Sequence, residues 1–370
     1  MIKPLTSSQE EVLKALNDDK YQIVGVFGPT GTGKTLLTLS YGIDVIKQGK
    51  FKKFIIVKPI VDIVTKKEIT ATELPNYHEV ILSYIKDVLG PEYSATVDEL
   101  YKSGRIEILD SRLLRGRTFD DSIIFIDEVQ ELQPESIIEL IIRIGRNSKL
   151  VVAGDPVFQS LQMKTFKDPS ELVREVLLNE EDAKVIDLGV KDIIRAGAKR
   201  GLRLLIEYRL RSRILSEEEN KVLNVTKAHA PDADIITVVD LSEEKKKLGL
   251  DNLTTVPDSI IVVKEGNIGR LVGKGGERIN STEKEIGKKL RALELSLDFK
   301  EYIRAVHPLP WVVKHIEDAD FKGNELVVQI KKETGAFMGQ KGSYVRFVDE
   351  AIRKLLGVGI RVIAKENENS

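Results

Sequence analysis

The stretch QIVGVFGPTGTGKTLLTL, residues 22–39, restricts the fold more than any other feature of the chain. An apolar run leads directly into G-x-x-x-x-G-K-[ST], with Gly28, Gly33, Lys34 and Thr35 at the fixed positions, and a helical pattern follows. Strand, glycine loop and helix in that order let successive backbone N–H groups curl around phosphate oxygens, while the helix N-terminus adds partial positive charge. Gly28, Pro29, Thr30, Gly31, Thr32 and Gly33 form the cradle. Lys34 offers a cation to β- and γ-phosphates, and the Thr35 hydroxyl offers a ligand to Mg²⁺.

The surrounding sequence fits an open α/β sheet. Apolar runs recur at 22–28, 53–59, 105–109, 122–128, 149–155 and 184–189. They are too densely apolar for one-sided strands, which predicts a parallel sheet buried on both faces. Helical patterns between them predict a doubly wound P-loop NTPase domain over residues 1–215. Ligands in such a fold lie beyond the carboxyl ends of the strands. Residues 216–256 are mixed in character and read as a connector.

Three further signals fall at strand ends or beside the loop. IIFIDE ends in Asp127, a candidate metal carboxylate, and Glu128, a candidate base for the attacking water. VVAGDPVFQ places Asp155 and Gln159 at another strand tip, where a polar group can contact the γ-phosphate or its water. Gln9, about twenty residues before the loop, could read adenine through its amide or lie on a surface helix. Because no second ATPase-like domain follows, a cation completing the site is expected from a neighbouring subunit or from none, with Arg195 and then Arg117 ahead of Arg115 and Arg143 as candidates.

The phosphate loop, RGRTFDDSIIFIDEVQ (115–130), RIGRNSKLVVAGD (143–155) and KDIIR (191–195) together resemble the PhoH-like ATPases, relatives of the first half of superfamily 1 helicases. The resemblance covers about residues 5–215. It implies ATP, Mg²⁺ and homo-oligomers that are often hexameric rings. One departure is that Gln159 follows Asp155 by four positions, where the family usually has three.

A second glycine-rich loop, GKGG at 273–276, lacks the Lys-[ST] pair and lies between two short helical patterns after an alternating strand. The same plan recurs around GQKG at 339–342. Both resemble the KH fold, and the pair resembles the tandem KH module of NusA-type factors. There G-x-x-G joins two helices and presses backbone against sugar-phosphate while a groove holds unpaired bases. The resemblance gives α+β KH domains at 257–303 and 304–370. Their candidate nucleic-acid contacts are Arg270, Gly273, Lys274, Gly275, Gly276 and Arg278 in the first, and Gly339, Gln340, Lys341, Gly342 and Arg346 in the second. Single-stranded RNA is the expected ligand, ahead of single-stranded DNA.

Bulk composition narrows the classes. The net charge is −1, yet residues 191–213 hold eight Lys and Arg against two Asp and Glu. A neutral total therefore conceals a basic segment, read either as a channel lining or as a solvated helix face. The chain has no cysteine and four scattered histidines, so disulfides and thiolate metal sites are excluded. No apolar run reaches the ~18 residues of a membrane span, and the expectation is a cytoplasmic protein. The combined reading is a Mg²⁺-dependent ATPase that remodels or unwinds single-stranded nucleic acid. Its rival is an ATP-gated RNA-binding adaptor without helicase activity.

Overall fold

Alternating apolar residues on each strand of the N-terminal half belong to two separate cores, one on each face of a six-stranded sheet. Val24, Val26, Phe54 and Ile56 enter one core, while Ile23, Phe27, Ile55 and Val57 enter the other. Burial on both faces is the physical reason for the unbroken apolar runs in the sequence. The computed structural model describes residues 2–365 apart from 63, 66, 113–115 and 159–167.

The chain divides into two compact units, residues 1–198 and 199–370. The first begins with α1 (Ser7–Asn17), β1 (Ile23–Phe27), α2 (Lys34–Lys47) and β2 (Lys53–Val57), then a small hairpin of β3 (Ile60–Val61) and β4 (Glu68–Ile69). It continues through α3 (Tyr77–Leu89), α4 (Ser94–Lys102), β5 (Ile106–Leu109), β6 (Ser122–Ile126), α5 (Pro134–Ile142), β7 (Lys149–Gly154), α6 (Pro169–Leu177) and β8 (Ala183–Asp187). Strand order is β5-β2-β6-β7-β1-β8, with every pairing parallel. The six strands expected from the sequence are the six of this sheet. Because β6, β7 and β1 are neighbours, Asp127, Asp155 and Gly28 emerge side by side at one edge. The β3–β4 hairpin was not foreseen, since its two-residue strands are too short to show periodicity. Helix α7 (Ala196–Arg211) follows, and the division between units falls inside it.

In the second unit, α8 (Glu217–His229), β9 (Ile235–Asp240) and α9 (Ser242–Lys247) precede β10 (Ser259–Val263), α10 (Ile268–Val272), α11 (Glu277–Ile286) and β11 (Leu290–Glu294). Then come α12 (Phe299–Val306), β12 (Ile316–Lys322), β13 (Glu325–Ile330), α13 (Thr334–Met338), α14 (Ser343–Leu356) and β14 (Gly359–Ala364). Two three-stranded sheets result, β11-β10-β9 and β12-β13-β14. Each central strand pairs antiparallel with the strand before it and parallel with the strand after it. Apart from α9, which the first module inserts between its first two strands, both modules therefore run helix, strand, strand, helix, glycine loop, helix, strand.

That plan revises the boundaries read from the sequence. The stretch 216–256 is not a bare connector: Val222 of α8 and Val238 of β9 are fully buried in the first module's core with Ile261 and Leu271. The border drawn at 303/304 falls inside α12, whose Phe299 packs edge-on against Phe321 of β12 at 4.8 Å between ring centroids. Only the glycine-loop half of each repeat is similar in sequence. The preceding helix and strand are specified by amphipathic pattern alone, which many sequences satisfy.

Candidate nucleotide site and nucleic-acid interface

The phosphate loop folds tightly enough that a side chain in it would collide with its supports. Gly28, Gly31 and Gly33 all take positive φ, and a Cβ at Gly31 would lie 2.5 Å from the Ala198 Cβ. Lys34 is 6% exposed, and its ammonium donates to the carbonyls of Gly28 at 2.7 Å and Pro29 at 3.0 Å, leaving a third proton for a ligand. The Thr32 hydroxyl donates to the Pro29 carbonyl at 2.8 Å. Pro29 is buried and Thr30 exposed at the loop's outer turn.

Gln9 is buried behind this loop. Its Nε2 donates to the Thr32 carbonyl at 2.8 Å, and its Oε1 accepts from the Leu5 N–H at 2.8 Å. In this position the amide braces the loop. Thr6 caps α1 and also donates to Asp192 at 2.6 Å, tying the start of the chain to the segment that leads to Arg195.

At the tip of β6, the Thr35 hydroxyl donates to Asp127 Oδ1 at 3.0 Å. That leaves the Thr35 oxygen lone pairs for a metal, while the carboxylate can hold a metal-bound water. The donor set therefore fits Mg²⁺, whose ligands are oxygens and retained waters. Asp127 Oδ2 accepts from Lys58 Nζ at 3.2 Å and from the Tyr84 hydroxyl at 3.0 Å. Burial, followed by the Asp127 charge, pushes the Tyr84 hydroxyl pKa up, so it is a lasting donor.

Glu128 sits in the left-handed region at φ 53°, a conformation that side chains adopt at a cost and that clusters at functional sites. Its carboxylate accepts from Gln130 Nε2 at 2.5 Å, and Gln130 Oε1 in turn accepts the Asp155 N–H at 3.1 Å. Asp155 is 1% exposed and turns Oδ1 onto the N–H groups of Val157 and Phe158, at 3.1 and 2.8 Å. Burial raises its pKa, opposed by the Lys34 charge. Gln159 and Arg115 lie outside the described residues.

The candidate arginines separate clearly. Arg195 is exposed in the turn before α7, between Ile193 and Ala198, whose side chains a Cβ at Gly31 would meet at 3.4 and 2.5 Å. Arg117 instead bonds Glu107 of edge strand β5 at 2.7 Å and lies over the Phe119 ring. Strand β5 is four strands from β1, about 19 Å at ~4.8 Å per strand. Arg143 is engaged by Glu139 at 2.7 Å.

Three residues here were missed from the sequence. Lys58 directly follows an apolar strand, the same kind of signal that exposed Asp127. Gln130 lies within the quoted acidic motif. Tyr84 sits in a helix with no motif, and nothing in the sequence marked it.

In both C-terminal modules the glycine loop joins two helices, as expected. Gly273, Gly275 and Gly276 take positive φ in the first, and Gly339, Lys341 and Gly342 in the second. Lys274, Gly275, Gln340 and Lys341 are exposed. Arg278 pairs with Asp232 and reaches the Arg270 carbonyl at 2.8 Å, while Arg270 reaches the Asp232 carbonyl at 3.4 Å. Arg346 donates to the Lys341 carbonyl and to that of Gly342, the latter at 3.3 Å. Arginines named as nucleic-acid contacts thus also fasten the loops that carry them. Leu271 and its counterpart Phe337 are core residues, 1% and 0% exposed.

No helix among the described residues is long and apolar enough to cross a membrane. Comparison with known proteins agrees with the arrangement. The KH domain pattern matches residues 235–306, which include β9 and α12 as well as the first glycine loop. A PhoH-like protein of Bacillus subtilis is 29% identical over 198 residues, 52% of this chain and 60% of that protein. Another from Mycobacterium leprae is 27% identical over 198 residues, 52% of this chain and 55% of its own length. The chain thus spans little more than half of these relatives. Among solved structures, the Pyrococcus furiosus Hef helicase domain aligns at TM-score 0.30 and 13% identity, covering 85% of this chain and 59% of that one. The Candida albicans Pif1 helicase aligns at TM-score 0.26 and 14% identity, covering 70% and 63%. The fold assignment rests on the strand order and loop geometry rather than on these low scores. With the PhoH-like pattern matching residues 1–207, more than half of the chain and all of the phosphate-loop sheet, the protein belongs to the PhoH family and carries a C-terminal KH domain.

Proposed function

We propose that the protein is a Mg²⁺-dependent ATPase whose cycle remodels single-stranded nucleic acid, RNA ahead of DNA, gripped by two KH modules. The observation that most supports this is the Thr35–Asp127 hydrogen bond, which joins the helix opened by the phosphate loop to the acidic strand tip. A divalent ion held there would neutralise charge on the β- and γ-phosphates. Lys34 would transfer hydrogen bonds from its own loop carbonyls to phosphate. Glu128, oriented by Gln130, would accept the proton of the attacking water. Arg195 is the leading arginine for the γ-phosphate, now from the same chain. Arg117, bonded to Glu107 of the far edge strand, would instead serve a neighbouring subunit, which a homo-oligomer such as a hexameric ring would allow. The exposed G-x-x-G backbones and Lys274 and Lys341 would meet sugar-phosphate.

The deciding experiment compares ATP turnover of wild type and Glu128→Gln, with and without single-stranded RNA, with native mass measured in the same buffer. RNA-stimulated turnover lost in the variant, together with strand displacement, supports a motor. Slow turnover indifferent to RNA, with nucleotide-dependent RNA affinity, would replace it with a gated adaptor. Unchanged turnover in Glu128→Gln would remove the assigned base.

A further inference from the structure

Asp127 has more donors than metal binding requires. Besides Thr35, its carboxylate takes the Lys58 ammonium at 3.2 Å and the Tyr84 hydroxyl at 3.0 Å, and its own side chain is 2% exposed. The Lys58 side chain is 15% exposed, and its ammonium lies 4.3 Å from the Tyr84 ring centroid. The Lys58 carbonyl accepts from the Tyr77 hydroxyl at 3.2 Å. Tyr77 and Tyr84 are seven residues apart in α3, on one face of the helix, so a single helix holds the backbone of Lys58 with one ring and its head with the other. Lys58 directly follows β2, whose last residue, Val57, pairs with Ile126 at the end of β6, so its position is set by the sheet as well.

This is a fixed positive charge, largely shielded from water, against the carboxylate read above as the metal's anchor. Like charges in so dry a site repel strongly. We infer that Lys58, held by Tyr84, is a positioning residue that weakens Asp127's hold on a bare divalent cation, so that the metal enters only with a nucleotide whose phosphates offset the lysine's charge. The inference deepens the proposed function and rests on its placing of the metal beside Thr35 and Asp127. It makes Lys58 a guard against futile occupation of the site by free metal. It also predicts a sign that a purely structural ion pair would not: removing the lysine should tighten metal binding.

The test is Mn²⁺ titration of the full chain, followed by electron paramagnetic resonance, with no nucleotide present. Lys58→Met should bind Mn²⁺ at least tenfold more tightly than wild type. Tyr84→Phe, which keeps the ring beside the lysine and removes only the hydroxyl's hydrogen bond to Asp127, should give a smaller gain. Adding Asp127→Asn to Lys58→Met should abolish the gain. If Lys58→Met fails to fold by circular dichroism, Lys58→Gln, which keeps a hydrogen-bond donor and drops the charge, carries the same expectation. Unchanged or weaker Mn²⁺ binding in the folded variant overturns the inference while leaving the nucleotide site standing. A separate titration of wild type with a fluorescent ATP analogue and Mg²⁺ distinguishes the other failure: no uptake there removes the site reading itself.

Discussion

The phosphate loop at 28–35 and the glycine loops at 273–276 and 339–342 are similar strings of residues placed in opposite surroundings. In the first, the lysine is 6% exposed, Gln9 and Ala198 press on the loop, and three strand tips converge beside it. In the others, the inner residues of the loop face outward. A buried loop can surround a small charged ligand and exclude water, whereas an exposed one leaves its backbone open to an extended partner. The two C-terminal glycine loops also differ from each other. Lys341 takes the left-handed backbone that Gly275 takes in the first loop, at φ 50° and 62° respectively, a conformation that costs a lysine more than a glycine.

Four perturbations would break or sharpen this contrast. The largest effect is expected from Lys34→Ala, which should weaken ATP binding about 100-fold or more, since each hydrogen bond to a charged group contributes ~1.5–3 kcal/mol. RNA affinity without nucleotide should stay unchanged. Calorimetry with each ligand checks both halves, and equal losses would erase the division of labour.

Next is a pH effect confined to the second module. Burial lowers the His307 pKa to about 4, and the ring is held between the Phe337 carbonyl and the Leu309 N–H. A histidine depressed in the folded state favours folding while neutral. Its contribution is therefore complete above about pH 6.5 and is lost as pH falls toward 4, by up to about 3 kcal/mol. Urea midpoints across that window should show the slope, and His307→Gln should flatten it.

Gly339→Ala would drive a Cβ to 2.4 Å from the Tyr344 ring and should cost the second module about 2 kcal/mol with no change in ATP affinity. Thermal melts together with nucleotide titration check it. The smallest effect is expected from Lys341→Gly, which should stabilise the module by about 1 kcal/mol, by relieving the left-handed backbone, while lowering oligonucleotide affinity. A variant that gains stability and keeps full affinity would show that Lys341 does not touch the ligand.

Much of the candidate nucleotide site was legible because its parts are local. Gly28, Lys34 and Thr35 lie in one octet, and Asp127 and Asp155 each end an apolar run, so spacing and pattern sufficed. The C-terminal repeat was legible only where glycine is required. Its outer helix and strand escaped because α8 and β9 have no motif, and α12 was split by a boundary drawn through it.

The sequence by itself determined the sheet, the loop chemistry and the presence of two related modules, since apolar period and glycine spacing are written along the chain. Only the tertiary structure decided which distant residues meet. Tyr84 and Lys58 reach Asp127 because strands β2 and β6 are neighbours and α3 packs nearby, and Arg117 is held by Glu107 of the far edge strand. Strand order is set by how all the helices jointly cover both faces of the sheet, a property of the whole chain that no local stretch encodes.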